Sequence, residues 1–451
     1  MMENSEVKIP KRILNNLLSA LSAGVVPRVG APYIAIGRTD EISALLETLD
    51  HIADGGAAAR FLIGRYGSGK SFLIQLLRGY AMERGFLCAD VDLSADQRRL
   101  CGSNGAGLAT YRELLRNLSS KASPDGGALP VLLSRHYASI LTSLAQEGIM
   151  PEDDSFRATV RKRVIAELSV LENSVGGFDF ARVITEYFFA YADENEERKS
   201  ACLKWLRGEF SSKTEARAQL GFSVSTVIDD ENWYDFIKLW SLFARRIGYT
   251  GLIVFIDECI VLYKIVNRVS RESNYEKILT IFNDTLQGRA EGLAVIFGGT
   301  PQFLEDTRRG LFSYEALRSR LTDSRFADIG FKTFSSPVIR LRSLSDNELY
   351  ALLTRLAKLH AAQNGSAVRL TDAQNEIFLK NCLKKAGAEE LITPREIIRD
   401  YLTMLSILRD NPEATFETVL FADSVADDDG NIGCGTAEKK GKSVTLADID
   451  I

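Results

Sequence analysis

Residues 61–77, FLIGRYGSGKSFLIQLL, consist of an apolar run, a glycine-rich turn and a second apolar run. The turn at residues 64–71, GRYGSGKS, fits G-x-x-x-x-G-K-[ST], the pattern of a loop that binds nucleotide phosphates. Its glycines allow successive backbone N–H groups to point at phosphate oxygens, and the helix that follows adds its positive end. The apolar strand before the turn and the helix after it favour this interpretation over a flexible glycine loop without a ligand.

Two residues of the turn have predicted roles in nucleotide chemistry. Lys70 is expected to bring a positive charge to the β- and γ-phosphates, and Ser71 a hydroxyl that ligates Mg²⁺. Further contacts to the nucleotide are expected from Gly64, Gly67, Ser68, Gly69 and Phe72. The turn therefore predicts ATP and Mg²⁺ as cofactors.

A second apolar run, LIVFIDE at residues 252–258, ends in two acids. A continuous apolar run is typical of a central strand in a parallel sheet. Asp257 is predicted to hold Mg²⁺ together with Ser71, and Glu258 to polarise the water that attacks the γ-phosphate. A site that only senses nucleotide would not require this glutamate. The alternative is a strand that ends in solvated acids.

Four further residues are candidates for contact with the γ-phosphate. Thr300 ends the run AVIFGGT (294–300), where its hydroxyl could lie between the acidic strand and the phosphate. Arg318 and Arg320, in YEALRSRL (314–321), could cap a phosphate at a subunit edge, since a guanidinium fork suits that role, and Arg320 is favoured. Arg395 begins the helix TPREIIRDYL (393–402) and could sense an anion there. The alternatives are an ordinary loop threonine and exposed surface arginines.

Composition narrows the class of protein. With 451 residues, the chain is longer than one hydrophobic core usually supports, so two or three packed units are expected. The net charge of −5 does not indicate a DNA partner, although DNA binding stays possible. The six cysteines and three histidines are not at metal-ligand spacing. Without a signal-peptide core or an apolar stretch of ~20 residues, we expect a cytoplasmic protein with no membrane contact.

The remaining pattern predicts an α/β fold, a three-layer P-loop parallel sheet with a large helical insertion and a C-terminal helical lid. Strands are predicted at 59–63, 85–94, 250–258, 292–300 and 337–341. Thr39 and Asp40 are N-cap candidates near the start, and Ser345, Thr371 and Thr393 mark three helix starts near the end. The predicted units are an N-terminal helical arm (1–32), an ATPase core (33–341) with its insertion (about 105–248), a lid (342–421) and a disordered tail (422–451).

In chain order, these segments resemble an AAA+ ATPase. The matching parts are the opening IGRTDE (36–41), the Walker A turn, the Walker B strand with its glutamate, a sensor-1 threonine, arginine-finger candidates and a lid with a sensor-2 arginine. A closer likeness, from about residue 8 to 412, is to the BREX phage-defence ATP-binding proteins of the BrxC/BrxD type, particularly the shorter BrxD-like members. The segments that carry it are CLKWLRGE (202–209), GYTGLIVFIDE (248–258), GGTPQFLEDTRRGLFSYEALRSRL (298–321) and ITPREIIRDYL (392–402).

The resemblance implies an ATPase that uses hydrolysis to drive or gate a prokaryotic defence complex. It also implies self-association, through an arginine supplied to a neighbour's site, and partners such as a helicase or a methylation component. The long insertion departs from a minimal AAA+ protein and puts a simple ring packing in doubt. Two alternatives stay open: a nucleotide-controlled scaffold with little turnover, and a DNA-remodelling loader of the replication-initiator kind.

Overall fold

The computed structural model describes residues 9–102, 104–150, 153–171, 174–323, 336–385 and 393–420. The strands within these residues are β1 (Ala58–Gly64), β2 (Leu87–Asp92), β3 (Leu252–Asp257), β4 (Leu293–Gly299) and β5 (Val338–Leu341). They form one parallel sheet in the order β2-β3-β4-β1-β5. The predicted strands and the α/β fold class are confirmed.

The order of the strands brings distant segments to one edge of the sheet. Strand β4 lies between β1 and β3, with Ile63 of β1 beside Gly299. On its other side, Ile256 of β3 lies beside Phe297. Because all three strands are parallel, their carboxyl ends meet at the same edge, which is where α/β sheets bind ligands.

Helices cover both faces of the sheet. On one face, α2 (Thr39–Ala53) and α3 (Lys70–Glu83) share a core with Leu62, Phe255 and Ile296. The alternate residues of the same strands, among them Val254, join the core of the opposite face. Every residue of β3 and β4 is buried, which explains why these strands are continuous apolar runs.

Between β2 and β3 the chain is helical, as the sequence predicts. The helices are α4 (Ala106–Arg116), α5 (Ala128–Gln146), α6 (Phe156–Leu168), α7 (Gly177–Ala192), α8 (Glu196–Leu206), α9 (Lys213–Leu220) and α10 (Trp233–Arg246). Their core contains all three tryptophans of the chain and is continuous with one face of the sheet. Buried hydrogen bonds fix it, including one from Trp240 Nε1 to Tyr111 Oη at 2.9 Å.

Within the described residues, four α-helices lie between β3 and β5, and the sequence predicted them only in part. They are α11 (Ile260–Lys264), α12 (Arg268–Leu286), α13 (Pro301–Glu305) and α14 (Glu315–Leu321). Helix α12 buries polar residues, among them Arg271, Asn274 and Asp284, which interrupt the apolar period of its inner face.

The helices after β5 form a second unit with its own core. They are α15 (Asp346–Asn364), α16 (Asp372–Lys385), α17 (Pro394–Asp410) and α18 (Phe416–Leu420). The predicted capping boxes at Ser345 and Thr393 are present, and Thr371 exchanges the equivalent hydrogen bonds with Gln374. We call α15–α18 the lid.

The helix predicted for the N-terminal arm packs within the lid. Helix α1 (Lys11–Ser22) buries Leu14, Leu17, Leu18 and Leu21 in the core that it shares with α15 and α17. In the described part of the chain, no helix is both long and apolar enough to cross a membrane. The predicted tail, 422–451, lies outside the described residues.

Candidate nucleotide-binding site

The glycine-rich turn joins β1 to α3 in the conformation that a phosphate loop requires. Gly67 and Gly69 have φ values of +78° and +90°, a left-handed region in which a Cβ would be strained. Gly69 is the N-cap residue of α3, so the free N–H groups of the first helical turn face the turn itself. The Ser68 hydroxyl is buried and has no hydrogen-bond partner within the described chain. It packs against Gly64, where a Cβ would lie 2.3 Å from Ser68 Oγ.

Lys70 lies across the mouth of this turn. Its Nζ donates hydrogen bonds to the carbonyl oxygens of Gly64 (2.9 Å) and Arg65 (3.0 Å). Burial lowers the pKa of the ammonium group, while the nearby carboxylates of Asp257 and Glu258 act in the opposite direction. The lysine is therefore held between the turn and the acids at the end of β3.

Ser71 and Asp257 are in direct contact, although they are far apart in the sequence. Ser71 Oγ donates to Asp257 Oδ2 at 2.9 Å. Strand β4 makes room for the carboxylate, because a Cβ on Gly298 would overlap Asp257 Oδ1. A hydroxyl and a carboxylate side by side are the oxygen ligands that Mg²⁺ prefers, so these two residues fit the predicted metal.

Glu258, the residue after Asp257, has an unusual backbone conformation. Its φ of +57° is left-handed, which is uncommon for a residue with a side chain and costs free energy. The strained conformation is held by a hydrogen bond from the Glu258 N–H to Asp257 Oδ1 at 2.8 Å. The Glu258 side chain lines the same cleft as Lys70. Strain of this kind is often found at functional sites.

The cleft has a volume of about 240 Å³, and the core and the lid line it together. Its polar end is the phosphate turn with Glu258 and, from the start of α17, Thr393 and Arg395. The turn touches the lid directly, since a Cβ on Gly67 would lie 2.6 Å from Thr393 Cγ2. The apolar end is lined by Leu21, Val25, Ile36, Phe72, Leu344 and Leu352. An apolar pocket next to a phosphate loop suits a purine ring and its triphosphate.

Five of the predicted residues do not line the cleft: Gly64 and Asp257, which contact Lys70 and Ser71 of the lining, and Thr300, Arg318 and Arg320. The Thr300 hydroxyl is the N-cap of α13 and accepts the Phe303 N–H at 3.3 Å. Arg318 and Arg320 are exposed on α14, where Arg320 Nη1 donates to the Ala316 carbonyl at 2.7 Å. The structure thus brings Arg395 to the cleft together with the phosphate turn and Glu258, but not Thr300, Arg318 or Arg320.

Sequence reasoning missed Arg38. The sequence predicts Thr39 or Asp40 as the N-cap of α2, and this is wrong, because α2 begins at Thr39 and Arg38 is its N-cap residue. The side chain of Arg38 is buried and reaches the phosphate turn through the Ser68 carbonyl. Any residue type can supply a backbone carbonyl, so this contact cannot be predicted from the sequence. Only the segment IGRTDE indicated that this region was of interest.

Comparison with known proteins gives the family of this chain. Among solved structures, domain III of the replication initiation protein DnaA of Thermotoga maritima is similar at 11% identity, with a TM-score of 0.33, over 89% of this chain and 95% of that one. No curated protein matches the chain in sequence. The family model of the BREX system ATP-binding proteins BrxC/D matches residues 9–423. The chain therefore belongs to the BrxC/D family of BREX system ATP-binding proteins.

Proposed function

We propose that this protein is an AAA+ ATPase that binds and hydrolyses Mg-ATP to drive or gate a BREX-type defence complex in the cytoplasm. The observation that supports the proposal best is the contact between Ser71 and Asp257, with Glu258 as the next residue and facing the cleft. Sites that only bind a nucleotide need the first two residues, whereas cleavage also needs a group that orients water.

Each residue of the site has a role in this scheme. The N–H groups around Gly69 and the Lys70 ammonium bind the phosphates, and the apolar end binds the base. Ser71 and Asp257 would hold Mg²⁺, which neutralises the charge that develops on the phosphates. Glu258 accepts a proton from, or orients, the attacking water, and Arg395 binds the phosphates from the lid side.

A switch with little turnover is the second candidate. The direct contact between Gly67 and Thr393 favours it, because a nucleotide in the turn would alter how the lid packs on the core. A DNA-remodelling loader has less support. In the basic run at 161–163, Arg161 and Arg163 already pair with Glu186 and Glu147.

Replacement of Glu258 separates hydrolysis from binding. Glu258→Gln should retain ATP and lose about 10²–10⁴-fold in steady-state turnover, because it removes a positioned base. Lys70→Ala should lose ATP binding as well. Glu194→Gln is the matched control, since Glu194 is the other described residue with a side chain and a positive φ, and it does not line the cleft. Turnover by Glu258→Gln equal to that of the wild type would disprove the role of the glutamate, and release of no more than one phosphate per wild-type chain would favour the switch.

Membership of the family supports an interaction with other components of the defence system. We propose that the ATP-bound form contacts other components of the defence system, such as a helicase or a methylation protein. Glu258→Gln should enrich those partners in a purification from the native host, because it holds ATP for longer. Equal recovery with Glu258→Gln and Lys70→Ala would mean that the contact does not depend on ATP.

A further inference from the structure

We infer that Arg38 is a positioning residue that holds the phosphate turn in its binding conformation and ties it to the base of the lid. Its Nη2 donates to two backbone carbonyls, that of Ser68 in the turn at 2.6 Å and that of Arg342 after β5 at 2.7 Å. The inference deepens the proposed function, since the turn that Arg38 holds is the proposed ATP site.

Arg38 is a buried cation whose charge is compensated by hydrogen bonds. Its side chain is 4% exposed, and its carboxylate partner is Glu41, which accepts from Nη1 at 3.3 Å. Burial lowers the pKa of the guanidinium, with Glu41 opposing that change. A buried charge is costly unless it makes several hydrogen bonds, and here two of them go to backbone on separate segments.

The contact with Ser68 determines where the next N–H group points. Peptide bonds in the described chain are trans, so the Ser68 carbonyl and the Gly69 N–H point in opposite directions within one peptide plane. Arg38 holds the carbonyl on its own side and thereby directs the Gly69 N–H away from it, toward the inside of the turn. Without Arg38, this peptide could rotate about the glycine and withdraw a donor from the phosphates.

The contact with Arg342 connects the same side chain to the lid. Arg342 forms an ion pair with Glu348 in the first turn of α15, at 2.5 Å between Nη2 and Oε1. Gly37, next to Arg38, packs so closely on Glu348 that it has no room for a Cβ. One buried guanidinium therefore joins the phosphate turn, the end of β5 and the start of the lid.

The test compares Arg38→Lys with Arg60→Lys. Lysine keeps the charge but lacks a planar nitrogen that can reach both carbonyls. Arg60 is the matched control, because it is also held by a backbone carbonyl beside β5, that of Ser336 at 2.8 Å, and burial lowers its pKa too, but it does not line the cleft. Arg38→Lys should weaken ATP binding by about 10-fold or more, as expected for loss of a charge-assisted hydrogen bond. Arg60→Lys should bind ATP as the wild type does.

Amide hydrogen exchange gives a readout that does not depend on ATP. In Arg38→Lys, exchange should rise in residues 64–70 and in the first turn of α15, and in Arg60→Lys it should not. Should Arg38→Lys fail to fold, the double variant Arg38→Gln/Glu41→Gln, which leaves no buried charge alone, replaces it in both measurements. Unchanged exchange and unchanged affinity would overturn the inference. Raised exchange in a protein that does not hydrolyse ATP would leave the inference standing and reject the proposed ATPase instead.

Discussion

At the scale of single residues, a glycine in one strand sets the position of an acid in the next. Gly298 leaves the space that the Asp257 carboxylate occupies, so Gly298→Ala should push that carboxylate away from Ser71. Displacement of a catalytic group by ~1 Å can cost about 10²-fold in rate. We expect ATP turnover to fall by about that factor, and the Mg²⁺ concentration needed for half-maximal turnover to rise.

Gly79 in α3 provides the control for this substitution. Apart from the backbone of its own helix, no described atom lies within 4 Å of a Cβ at that position, so Gly79→Ala should keep full turnover and gain up to about 1 kcal/mol in the free energy of unfolding. If Gly298→Ala and Gly79→Ala had the same turnover and the same Mg²⁺ dependence, the space beside Asp257 would not matter for the reaction.

Residue patterns predicted that the glycine-rich turn and the acids after β3 lie together, because these residue types can be recognised by their own chemistry. A lysine, a hydroxyl and two acids can be recognised in the sequence at GRYGSGKS and LIVFIDE. The role of Arg38 could not be recognised, because its contacts with the turn and with the residue after β5 are made to main-chain carbonyls, which any residue supplies. Thr300 was placed at the correct strand end, but its hydroxyl caps a short helix, and the sequence does not distinguish a cap from a ligand contact.

At the scale of the elements, the start of α15 depends on one ionised glutamate. Hydrogen bonds from Arg342, and then from Ser345, lower the pKa of the Glu348 carboxyl to about 2. A folded-state pKa below the unfolded value stabilises the protein above the unfolded value, and this stabilisation is lost as pH falls toward the folded value. For Glu348 the window is therefore from about pH 4.5 down to about pH 2.

Glu348→Gln should consequently cost stability near neutral pH and progressively less in acid. The measurement is the free energy of unfolding of both proteins from about pH 6 to pH 3, with the difference between them shrinking as pH falls. Arg342→Gln is the control background. In this background the effect of Glu348→Gln on the free energy of unfolding should lose most of its pH dependence, because the arginine that lowers the pKa of Glu348 is gone. A difference that stays constant with pH in the wild-type background would contradict the role of this pair.

Helices and strands could be predicted where the residues of the segment itself determine its structure. The central strands are apolar on both faces, and the three late helices begin with capping residues whose hydrogen bonds are present. Helix α12 was not predicted, since its inner face carries polar residues that bond to neighbouring segments. One of these is Asn274, whose Oδ1 accepts the N–H groups of Leu100 and Cys101. Such tertiary partners override periodicity.

At the scale of the whole molecule, α1 should stabilise the lid rather than the sheet. Leu17 is fully buried against the lid helices, so Leu17→Ala should cost about 2–5 kcal/mol there. Amide exchange should rise in α15 and α17, and ATP should bind less tightly because Leu21 lines the cleft. Asn16→Ala, an exposed position on the same helix, is the control.

The tryptophans allow the two units to be distinguished. All three lie in α8 and α10, within the core of the sheet and the insertion. Unfolding monitored by their fluorescence should therefore change little in Leu17→Ala, while exchange in the lid rises. If Leu17→Ala lowered the stability measured by tryptophan fluorescence as much as it raised amide exchange in the lid, the lid and the sheet would unfold as one cooperative unit.

The exposed arginines of α14 predict an assembly with shared sites. Arg320 lies outside its own cleft, and an arginine supplied by a neighbour can raise turnover by roughly 10³–10⁵-fold. Arg320→Ala has an intact cleft, and Lys70→Ala has an intact arginine. Each should be nearly inactive alone, and a mixture of the two should recover part of the turnover.

Arg318→Ala, two positions before Arg320 on the same helix, is the comparison for this experiment. It should retain more turnover than Arg320→Ala if Arg320 is the residue that reaches the neighbour. Normal turnover by Arg320→Ala alone, or no recovery in a mixture that still assembles, would exclude Arg320 from a neighbour's site.

The packing of α1 inside the lid also sets an order of events during synthesis. The ribosome releases α1 first, but its partner α17 emerges about 370 residues later, which at 5–20 residues per second is a delay of roughly 20–70 s. Throughout that time the four leucines of α1 have no lid to cover them, and the cleft that borders α1 is incomplete. ATP can therefore be enclosed only by a chain that has been translated through the lid, so a truncated product would carry the complete Walker motifs and still fail to retain the nucleotide.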